Sequence, residues 1–485
     1  MDYQEKNRRN FNPMKLIKFF GIIMSLISLN ACSFFKEIDT KAFKDHEIPE
    51  HYSIEVPNKK PSLFLGIRAF DDSELYNLIH QAIENNLTLE STRAQYMQAK
   101  AQASIVGAAQ YPHLNLNFEP SISKNRNINS GTHAWKNNFS LGMMSSFEID
   151  FWGKTRALKK SAQYALSAAQ LDYQTAMISM ISEICLCWID ILSQRMQQEL
   201  LQKQLATNRM YLKLIRLRFQ KGMVASLDLY QQQQVVASIL SQMPLIQAQE
   251  RLQFNQMAIL CGVPPQTNLL ITRKHFPLLK DLPSAGVPSD LLSNRPDIRA
   301  SWNRLQASHQ NVWVSKASQL PSVTLSVSGT LGSEKIANLM DAWLINLAGQ
   351  LTAPIFDAGR LRAETQITKA KAYEKMLQYR NTVFNAIKEV EGALIQTQQQ
   401  KKHIKALQKE QSIAQKALDE AINRYQKGLN DYLPVLTHIL TVQRLDGELI
   451  QQRATYFQYF IYLYRALGGQ LPSSVYASKT GGSDE

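Results

Sequence analysis

The sequence lacks the residue patterns on which most enzymes and metal-binding proteins depend. It contains no Gly-x-x-x-x-Gly-Lys phosphate-binding loop, no His-Glu-x-x-His motif and no paired cysteines at metal-binding spacing, and its 9 histidines are scattered. We therefore expect no catalytic site, no metal and no cofactor. We expect the protein instead to let other molecules pass, to open and close that passage, and to dock on partner proteins.

Cysteine is scarce, with only 4 residues in the chain. Cys185 and Cys187 are two positions apart on a predicted helix, so their side chains point in different directions and suit neither a shared metal nor a disulfide. Cys261 lies at a predicted helix end. We interpret these three residues as buried thiols and predict no disulfide framework.

A long apolar run is also missing from the N-terminus. Residues 19–29 form an apolar segment that follows two lysines but is too short to cross a bilayer, which is typical of a signal peptide over residues 1–31. The segment ends in Leu-Asn-Ala-Cys, which resembles a bacterial lipobox and implies lipid attachment at Cys32. Ser33 then implies sorting to the outer membrane. The alternative is an ordinary secretory signal followed by an incidental cysteine.

Acidic residues are in deficit, since 40 Asp and Glu stand against 54 Lys and Arg, for a net charge of +14. The positive charges are dispersed along the chain, so we expect no nucleic acid partner. A solvated surface, or one that meets anionic lipid or an acidic protein, fits this pattern better.

What the sequence does contain is a duplication. Gly153 and Gly222 are 69 residues apart, and so are Gly359 and Gly428. The segment Arg-Phe-Gln-Lys-Gly that ends at Gly222 returns as Arg-Tyr-Gln-Lys-Gly at Gly428. Equal spacings of this size, with no intervening proline, predict two copies of one long structural unit.

Each copy contains two segments in which apolar residues alternate with polar, mostly uncharged ones. These segments are residues 112–118, 139–149, 323–327 and 345–351. The alternation predicts four strands of about 9–11 residues, long enough to cross a membrane. Polar loops are predicted at about 121–138 and 332–342. Because four strands cannot close a barrel and an open edge is not stable in lipid, we expect other subunits to pair the edges.

A long helix is predicted after each strand pair. Between Lys154 and Gln220 there is no glycine or proline, and small or apolar residues recur every three or four positions. About 68 residues at ~1.5 Å each give a rod of about 100 Å, which must pack against neighbouring helices. Gly222 and Gly428 are predicted to end the two rods.

Shorter elements complete the predicted organisation. A helix from Asp72 to about Ala109 precedes the first strand pair, and returning helices start near Ser226 and near Asp431, the first one kinked at Pro244. The predicted segments are a signal peptide (1–31), a lipidated extended arm (32–70), a first structural repeat (71–263), a connector (264–296), a second repeat (297–472) and a disordered tail (473–485).

The most specific motif lies in the connector, where Gly-Val-Pro-Ser-Asp-Leu-Leu at 286–292 is followed by Asn-Arg-Pro-Asp-Ile at 294–298. Asp-Phe-Trp-Gly-Lys at 150–154, Phe-Asp-Ala-Gly-Arg at 356–360 and the two Arg-aromatic-x-x-Gly turns accompany it. Together these motifs resemble the outer-membrane efflux protein family (TolC-like), and within it the lipoprotein branch that serves resistance-nodulation-division pumps.

The resemblance implies a mixed α and β fold, internally duplicated, with four transmembrane strands per chain in a trimeric 12-stranded barrel. Long antiparallel helices would continue this barrel as a periplasmic α-barrel. The implied partners are a homotrimer, a periplasmic adaptor (membrane fusion) protein, an inner-membrane pump and outer-membrane lipid. The implied location is the outer membrane, with a lipid anchor and an extension into the periplasm.

The resemblance also implies a gate at the closed ends of the rods, around Gly222 and Gly428, where family members hold their helix tips together. Asp228 occupies a family position for an inner contact; the alternative is an acid favoured by the helix dipole. Asp431 would contribute to an acidic ring or cap its helix. Candidate tip residues that brace the turn or bind the adaptor are Arg218, Arg424 and Tyr425.

Pro434 and Thr437 stand where some family members carry constricting aspartates, which argues against a cation-binding acidic ring. Phe151 and Trp152, at the junction of strand and helix, would lie at the membrane interface or pack the corner.

These patterns favour an outer-membrane channel that exports drugs or other small molecules as part of a tripartite efflux system. A channel of the same fold for type I protein secretion is one alternative, against which the connector motif argues. A lipid-anchored coiled-coil scaffold is another, and it would not need strands with one apolar face.

Overall fold

The computed structural model describes residues 49, 51–53, 70, 72–126, 133–278 and 287–469. The predicted signal peptide, the candidate lipid attachment site Cys32 and the predicted tail lie outside the described residues, as does most of the predicted arm.

The described chain consists of two copies of the same series of elements. The first copy contains α1 (Ser73–Asn85), α2 (Leu87–Ala108), β1 (His113–Arg126), β2 (His133–Ile149), α3 (Lys154–Gln220) and α4 (Ser226–Leu260). The second copy contains α5 (Asp290–Asn294), α6 (Pro296–Ala317), β3 (Ser322–Ser333), a 3-10 turn (Ile336–Asn338), β4 (Trp343–Thr352), α7 (Arg360–Gln426) and α8 (Tyr432–Ala466). Both long helices have 67 residues and both returning helices have 35, so the sequence repeat is a repeat of structure.

The helix predicted from Asp72 to about Ala109 is interrupted, which corrects the prediction. Asn86 has extended backbone angles and separates α1 from α2. Its side-chain oxygen accepts the N–H of Leu89 at 2.8 Å, and its Nδ2 donates to the carbonyl of Leu260 at 2.8 Å. Asparagine breaks the helix here because its side chain offers the backbone an alternative partner, and the contact with Leu260 fixes that choice.

The four strands form one antiparallel sheet in the order β1-β2-β3-β4. Its register places most of the apolar residues of the four strands on one face: Leu116 stands opposite Met143, Leu141 opposite Leu331, and Val327 opposite Leu347. The other face carries residues such as Asn117, Ser140, Ser328 and Asn346. The predicted two-faced sheet is thereby confirmed. Within the part of the chain that the structure describes, β1 and β4 each pair on one side only.

The first hairpin is longer than predicted. Pairing of β1 with β2 continues from Pro120 and Phe139 to Arg126 and His133, through residues assigned from the sequence to the loop 121–138. The alternation of apolar and polar residues ends before the hydrogen-bonded pairing of β1 with β2 ends. Backbone pairing does not require an apolar face once the strands leave lipid. In the second copy the break between β3 and β4 covers 334–342, close to the predicted loop.

Each long helix begins at a glycine with a left-handed backbone, Gly153 at φ 73° and Gly359 at φ 87°. An aspartate just before each glycine accepts the free N–H groups of the first turn. Asp150 accepts from Thr155 and Arg156 at 3.0 and 2.9 Å. Burial alone would raise the pKa of Asp150, but these hydrogen bonds and the charge of Arg156 lower it by more, so its net pKa lies below the usual range. The sheet-to-helix corner is therefore built by a charged cap.

Two large apolar cores pack the described helices together, and a small cluster of Ala168, Leu171 and Ala300 joins α3 to α6. The first surrounds the middle of α3, where Phe70 makes edge contacts with the fully buried Trp188 and with Phe460, at centroid distances of 6.1 and 5.9 Å. The second lies between the C-terminal parts of α3 and α7 and the N-terminal parts of α4 and α8. One stretch of α3 is apolar enough to cross a membrane, but 67% of it is buried, as expected of a core helix.

The long helices form two antiparallel pairs. α3 packs on α4, α8 packs on α7, and the pairs meet where α3 contacts α8. Pro244 lies inside α4, which continues as a helix over 35 residues. The kink predicted at Pro244 stays a prediction. This arrangement brings the ends of α3 and α7 and the starts of α4 and α8 to one place.

Candidate functional site: the helix tips

The turns at the helix tips have the same construction in both copies. Gly222 and Gly428 both have φ 71°, a conformation that residues with a Cβ rarely adopt. The N–H of Met223 donates to the carbonyl of Arg218 at 2.9 Å, and the equivalent bond from Leu429 to Arg424 is also 2.9 Å. Each glycine thus closes its helix in a Schellman turn, and the prediction that both end the rods is confirmed.

Arg218 and Tyr425 join the two helix pairs at the tip. The Arg218 guanidinium lies over the Tyr425 ring, 4.6 Å from its centroid, and both side chains are half-buried. A partly desolvated cation over a ring contributes about 0.5–2 kcal/mol. The Tyr425 hydroxyl is buried and makes no hydrogen bond to any residue that the structure describes. The ring of Tyr425, not its hydroxyl, therefore makes this contact.

Three residues that the sequence analysis missed extend the contact into a buried chain. The rings of Tyr425 and Tyr432 are 5.5 Å apart. The Tyr432 hydroxyl donates to Oε1 of Gln232 at 2.6 Å, and Nε2 of Gln232 donates to Oδ1 of Asn208 at 3.1 Å. We call these five residues, Arg218, Tyr425, Tyr432, Gln232 and Asn208, the tip cluster. Its contacts run from α3 through α7, α8 and α4 back to α3.

A signal in the sequence would have identified the polar members of the tip cluster. Asn208 follows Leu201 and Leu205 at the spacing of the buried face of α3, and Gln232 precedes Val235 on the buried face of α4. Both amides are fully buried. An amide at a core position costs stability unless it is hydrogen-bonded, and it therefore specifies one partner and one register.

The environment of Tyr432 keeps its hydroxyl protonated. Burial raises the pKa of Tyr432, and the neighbouring ionisable groups of Tyr211, Tyr425 and Asp228 raise it further. The group therefore remains a hydrogen-bond donor to Gln232 at any physiological pH.

The remaining candidate residues surround the cluster without joining it. Asp228 is half-buried in the first turn of α4, close enough to affect Tyr432, so it has the dipole-favoured position of the alternative interpretation. Asp431 occupies the N-cap position of α8, yet its exposed side chain makes no capping bond. Arg424 is exposed and makes no ion pair within the described chain. Of the predicted tip residues, Arg218 and Tyr425 thus contact each other, and Asp228 lies near Tyr432.

Pro434 and Thr437, the two residues that depart from the family pattern, both lie near the start of α8. Pro434 lies in the first turn of α8, where a missing N–H costs little. The hydroxyl of Thr437 donates to the carbonyl of Leu433 at 2.9 Å within the same helix. Neither residue supplies a carboxylate at the tip. No group of acidic, histidine or cysteine side chains suited to a metal occurs among the described residues.

At the opposite end of α3, the two junction aromatics have different environments. Trp152 donates from Nε1 to the carbonyl of Pro321 at 2.7 Å, and its own carbonyl accepts from Trp313 at 3.2 Å. Trp152 therefore packs the corner between the two copies. Phe151 contacts Trp152 edge-on at 4.7 Å but stays 48% exposed, so it is available to the membrane interface.

The connector motif has a structural role. Arg295, only 8% exposed, donates to Asp297 at 2.7 Å, to Glu389 of α7 at 2.8 Å and to the carbonyl of Ala466 at 2.8 Å. It closes the C-terminus of α8 as Asn86 closes that of α4. The motif thus ties connector, long helix and returning helix together.

The three cysteines are buried, as predicted. Burial raises the pKa of Cys185 to about 12 and that of Cys261 to about 11. Cys187 donates from Sγ to the carbonyl of Gln253 at 3.1 Å. These thiols are therefore part of the apolar core.

Comparisons with known proteins agree with this architecture. The model of the outer membrane efflux protein family matches residues 78–263 and 287–469, one match for each copy. The pyoverdine export outer membrane protein OpmQ of Pseudomonas aeruginosa is 33% identical over 409 residues, covering 83% of this chain and 86% of OpmQ. The cation efflux system protein CusC of Escherichia coli is 26% identical over 402 residues, covering 82% and 87%. The crystal structure of VceC from Vibrio cholerae superposes with a TM-score of 0.80 at 26% identity, covering 85% of this chain and 100% of VceC.

Proposed function

Since this chain belongs to the outer membrane efflux protein family, we propose that three copies assemble into a gated conduit that exports small molecules across the outer membrane. Members of this family work with a periplasmic adaptor and an inner-membrane pump. The observation that carries the proposal is the four-stranded sheet, apolar on one face, whose two outer strands each have one open edge among the described residues. In lipid such edges must be paired, and copies of the same sheet pair them most simply.

The gate of this conduit would be the tip cluster. Arg218 with Tyr425, and Tyr432 with Gln232, both connect one helix pair to the other. Separating the pairs breaks both contacts at once, so the cluster favours the closed arrangement. Asp228, Asp431 and Arg424 lie at the rim, where their charges would meet the neighbouring subunit or the adaptor.

The cargo would be selected elsewhere. The relatives are named for pyoverdine and for cations, which are chemically unlike. Within the described residues this chain has no metal-ligand cluster. We therefore propose that the inner-membrane pump chooses the substrate and that this chain passes drugs or other small molecules without strong recognition.

The N-terminus would attach the protein to the membrane through a lipid on Cys32. We predict that Cys32→Ser abolishes labelling by a fatty acid precursor, because the lipid is carried by this thiol. Wild-type protein that takes up no label would contradict the proposed attachment and favour an ordinary signal sequence.

The proposed function is tested by native mass and single-channel conductance of the purified protein in planar bilayers. A trimer with small, mostly closed conductance is the expected result. A monomer, or a trimer without conductance under any condition, would contradict the channel and favour a lipid-anchored scaffold.

A further inference from the structure

We propose that Lys124 and Trp135 form a binding site for the phosphate groups of the glycolipid in the outer leaflet, the lipid A part of lipopolysaccharide. The two residues stand directly opposite each other in the β1–β2 register. They lie near the hairpin end of the sheet, away from the helices, because α2 precedes the start of β1 and α3 follows the end of β2.

The register decides which way the two side chains face. Lys124 has the same parity as Leu114, Leu116 and Phe118, and Trp135 has the same parity as Leu141. Both therefore belong to the apolar face of the sheet, which faces lipid in the proposed barrel. A cation on this face has no place in the hydrocarbon and must reach the headgroups.

The length of the apolar stripe places Lys124 at that level. From Leu114 to Ile122 the stripe on β1 covers eight residue steps, about 27 Å along a strand. A strand tilt of about 40° reduces this to about 21 Å of membrane thickness, close to the ~25 Å apolar band of membrane barrels. Lys124 is the next residue on the same face.

The two side chains contact each other on this face of the sheet. Lys124 Nζ lies over the Trp135 ring, 5.1 Å from its centroid, while Trp135 remains 68% exposed. Within the described part of the chain Lys124 makes no ion pair. An ammonium group held on an aromatic ring at the edge of an apolar band fits an anionic phosphate above acyl chains.

Lys136 provides the contrast that makes the inference specific. It is adjacent to Trp135 in sequence but faces the opposite side of the sheet, where it pairs with Glu334 at 3.7 Å. The two lysines carry the same charge on the same hairpin. Only Lys124 faces lipid, so only Lys124 should contribute to binding of the lipid phosphate.

The test measures binding of bisphosphorylated and monophosphorylated lipid A to the intact trimer by native mass spectrometry. For Lys124→Gln we expect affinity for bisphosphorylated lipid A to fall about fivefold, the effect of one cation near an anionic surface. The difference between the two lipids should shrink in Lys124→Gln. Lys136→Gln, the matched control, should retain wild-type affinity.

Several results would overturn the proposal. Equal losses in the two variants would show that overall charge, not this site, binds the lipid. An unchanged preference for the second phosphate in Lys124→Gln would exclude the phosphate as its partner. Equal, Lys124-dependent binding of phosphatidylglycerol would refute the assignment to the glycolipid. A wild-type protein that forms no trimer would contradict the proposed function and remove the lipid-facing surface with it.

Discussion

Two tyrosines in the tip cluster allow the same substitution to be compared in two environments. The Tyr432 hydroxyl donates to Gln232 at 2.6 Å, whereas the buried Tyr425 hydroxyl makes no hydrogen bond to any residue described. Tyr432→Phe leaves Oε1 of Gln232 buried without its donor, which costs about 1–3 kcal/mol. Tyr425→Phe removes a hydroxyl that has no partner, so we expect a change near zero or a slight stabilisation.

The cost in Tyr432→Phe applies to the closed arrangement, because the bond crosses between the two helix pairs. A loss of about 1–3 kcal/mol shifts a closed-to-open equilibrium about 5- to 150-fold towards open. We expect Tyr432→Phe to raise open probability in single-channel recordings and to speed hydrogen exchange at the start of α8. Tyr425→Phe, which keeps the ring under Arg218, should resemble wild type in both measurements.

The comparison contradicts the reasoning if the two variants behave alike. An effect of Tyr425→Phe equal to or larger than that of Tyr432→Phe would mean that the Tyr425 hydroxyl has a partner in the trimer. An unchanged open probability in Tyr432→Phe, with exchange at α8 accelerated, would place the bond in tip stability and not in gating.

Two further predictions each compare the same substitution at two positions: the equivalent arginines of the two copies, and two glycines with a left-handed backbone. Arg218→Ala should raise conductance and susceptibility to large antibiotics because it removes the contact with Tyr425, whereas Arg424→Ala, at the exposed equivalent position, should leave conductance unchanged; equal effects on conductance would remove Arg218 from the gate. Gly262→Ala should prevent folding or lower the melting temperature strongly, since a Cβ there would lie 2.1 Å from the Asn85 carbonyl oxygen. Gly222→Ala, with the same left-handed backbone and nothing within 4 Å, should cost only about 1–2 kcal/mol of strain in thermal unfolding; a similar loss in both would contradict the steric argument.

Part of the candidate site was predictable from the sequence because it depends on local chemistry. Gly222 and Gly428 end their helices through a backbone conformation that glycine adopts readily. The five-residue motif that ends at each glycine indicates this turn. Arg218 and Tyr425 were identified from the repeated turn, although their mutual contact was not. Each had an equivalent in the other copy, Arg424 and Phe219, and sequence alone could not distinguish which pairs would meet.

The contacts that join the rest of the site were not predictable, because the residues that form them are distant in the chain. Tyr432 and Gln232 are 200 positions apart, and Asn86 and Leu260 are 174 apart. No pattern within a few neighbouring residues predicts such a bond. The break at Asn86 was missed for this reason: an asparagine inside an amphipathic pattern is compatible with a continuous helix until a distant carbonyl fixes its amide.

The sequence by itself determined the duplication, the alternation of the strands and the period and ends of the long helices. These depend on interactions over a few residues, which repeat whenever the sequence repeats. Tertiary structure alone decided that Arg218 lies on Tyr425, that Tyr432 bonds Gln232 and that Lys124 and Lys136 face opposite sides of one hairpin. Those facts depend on the register between strands and on the packing of one helix pair against another, which bring together residues from separate parts of the chain.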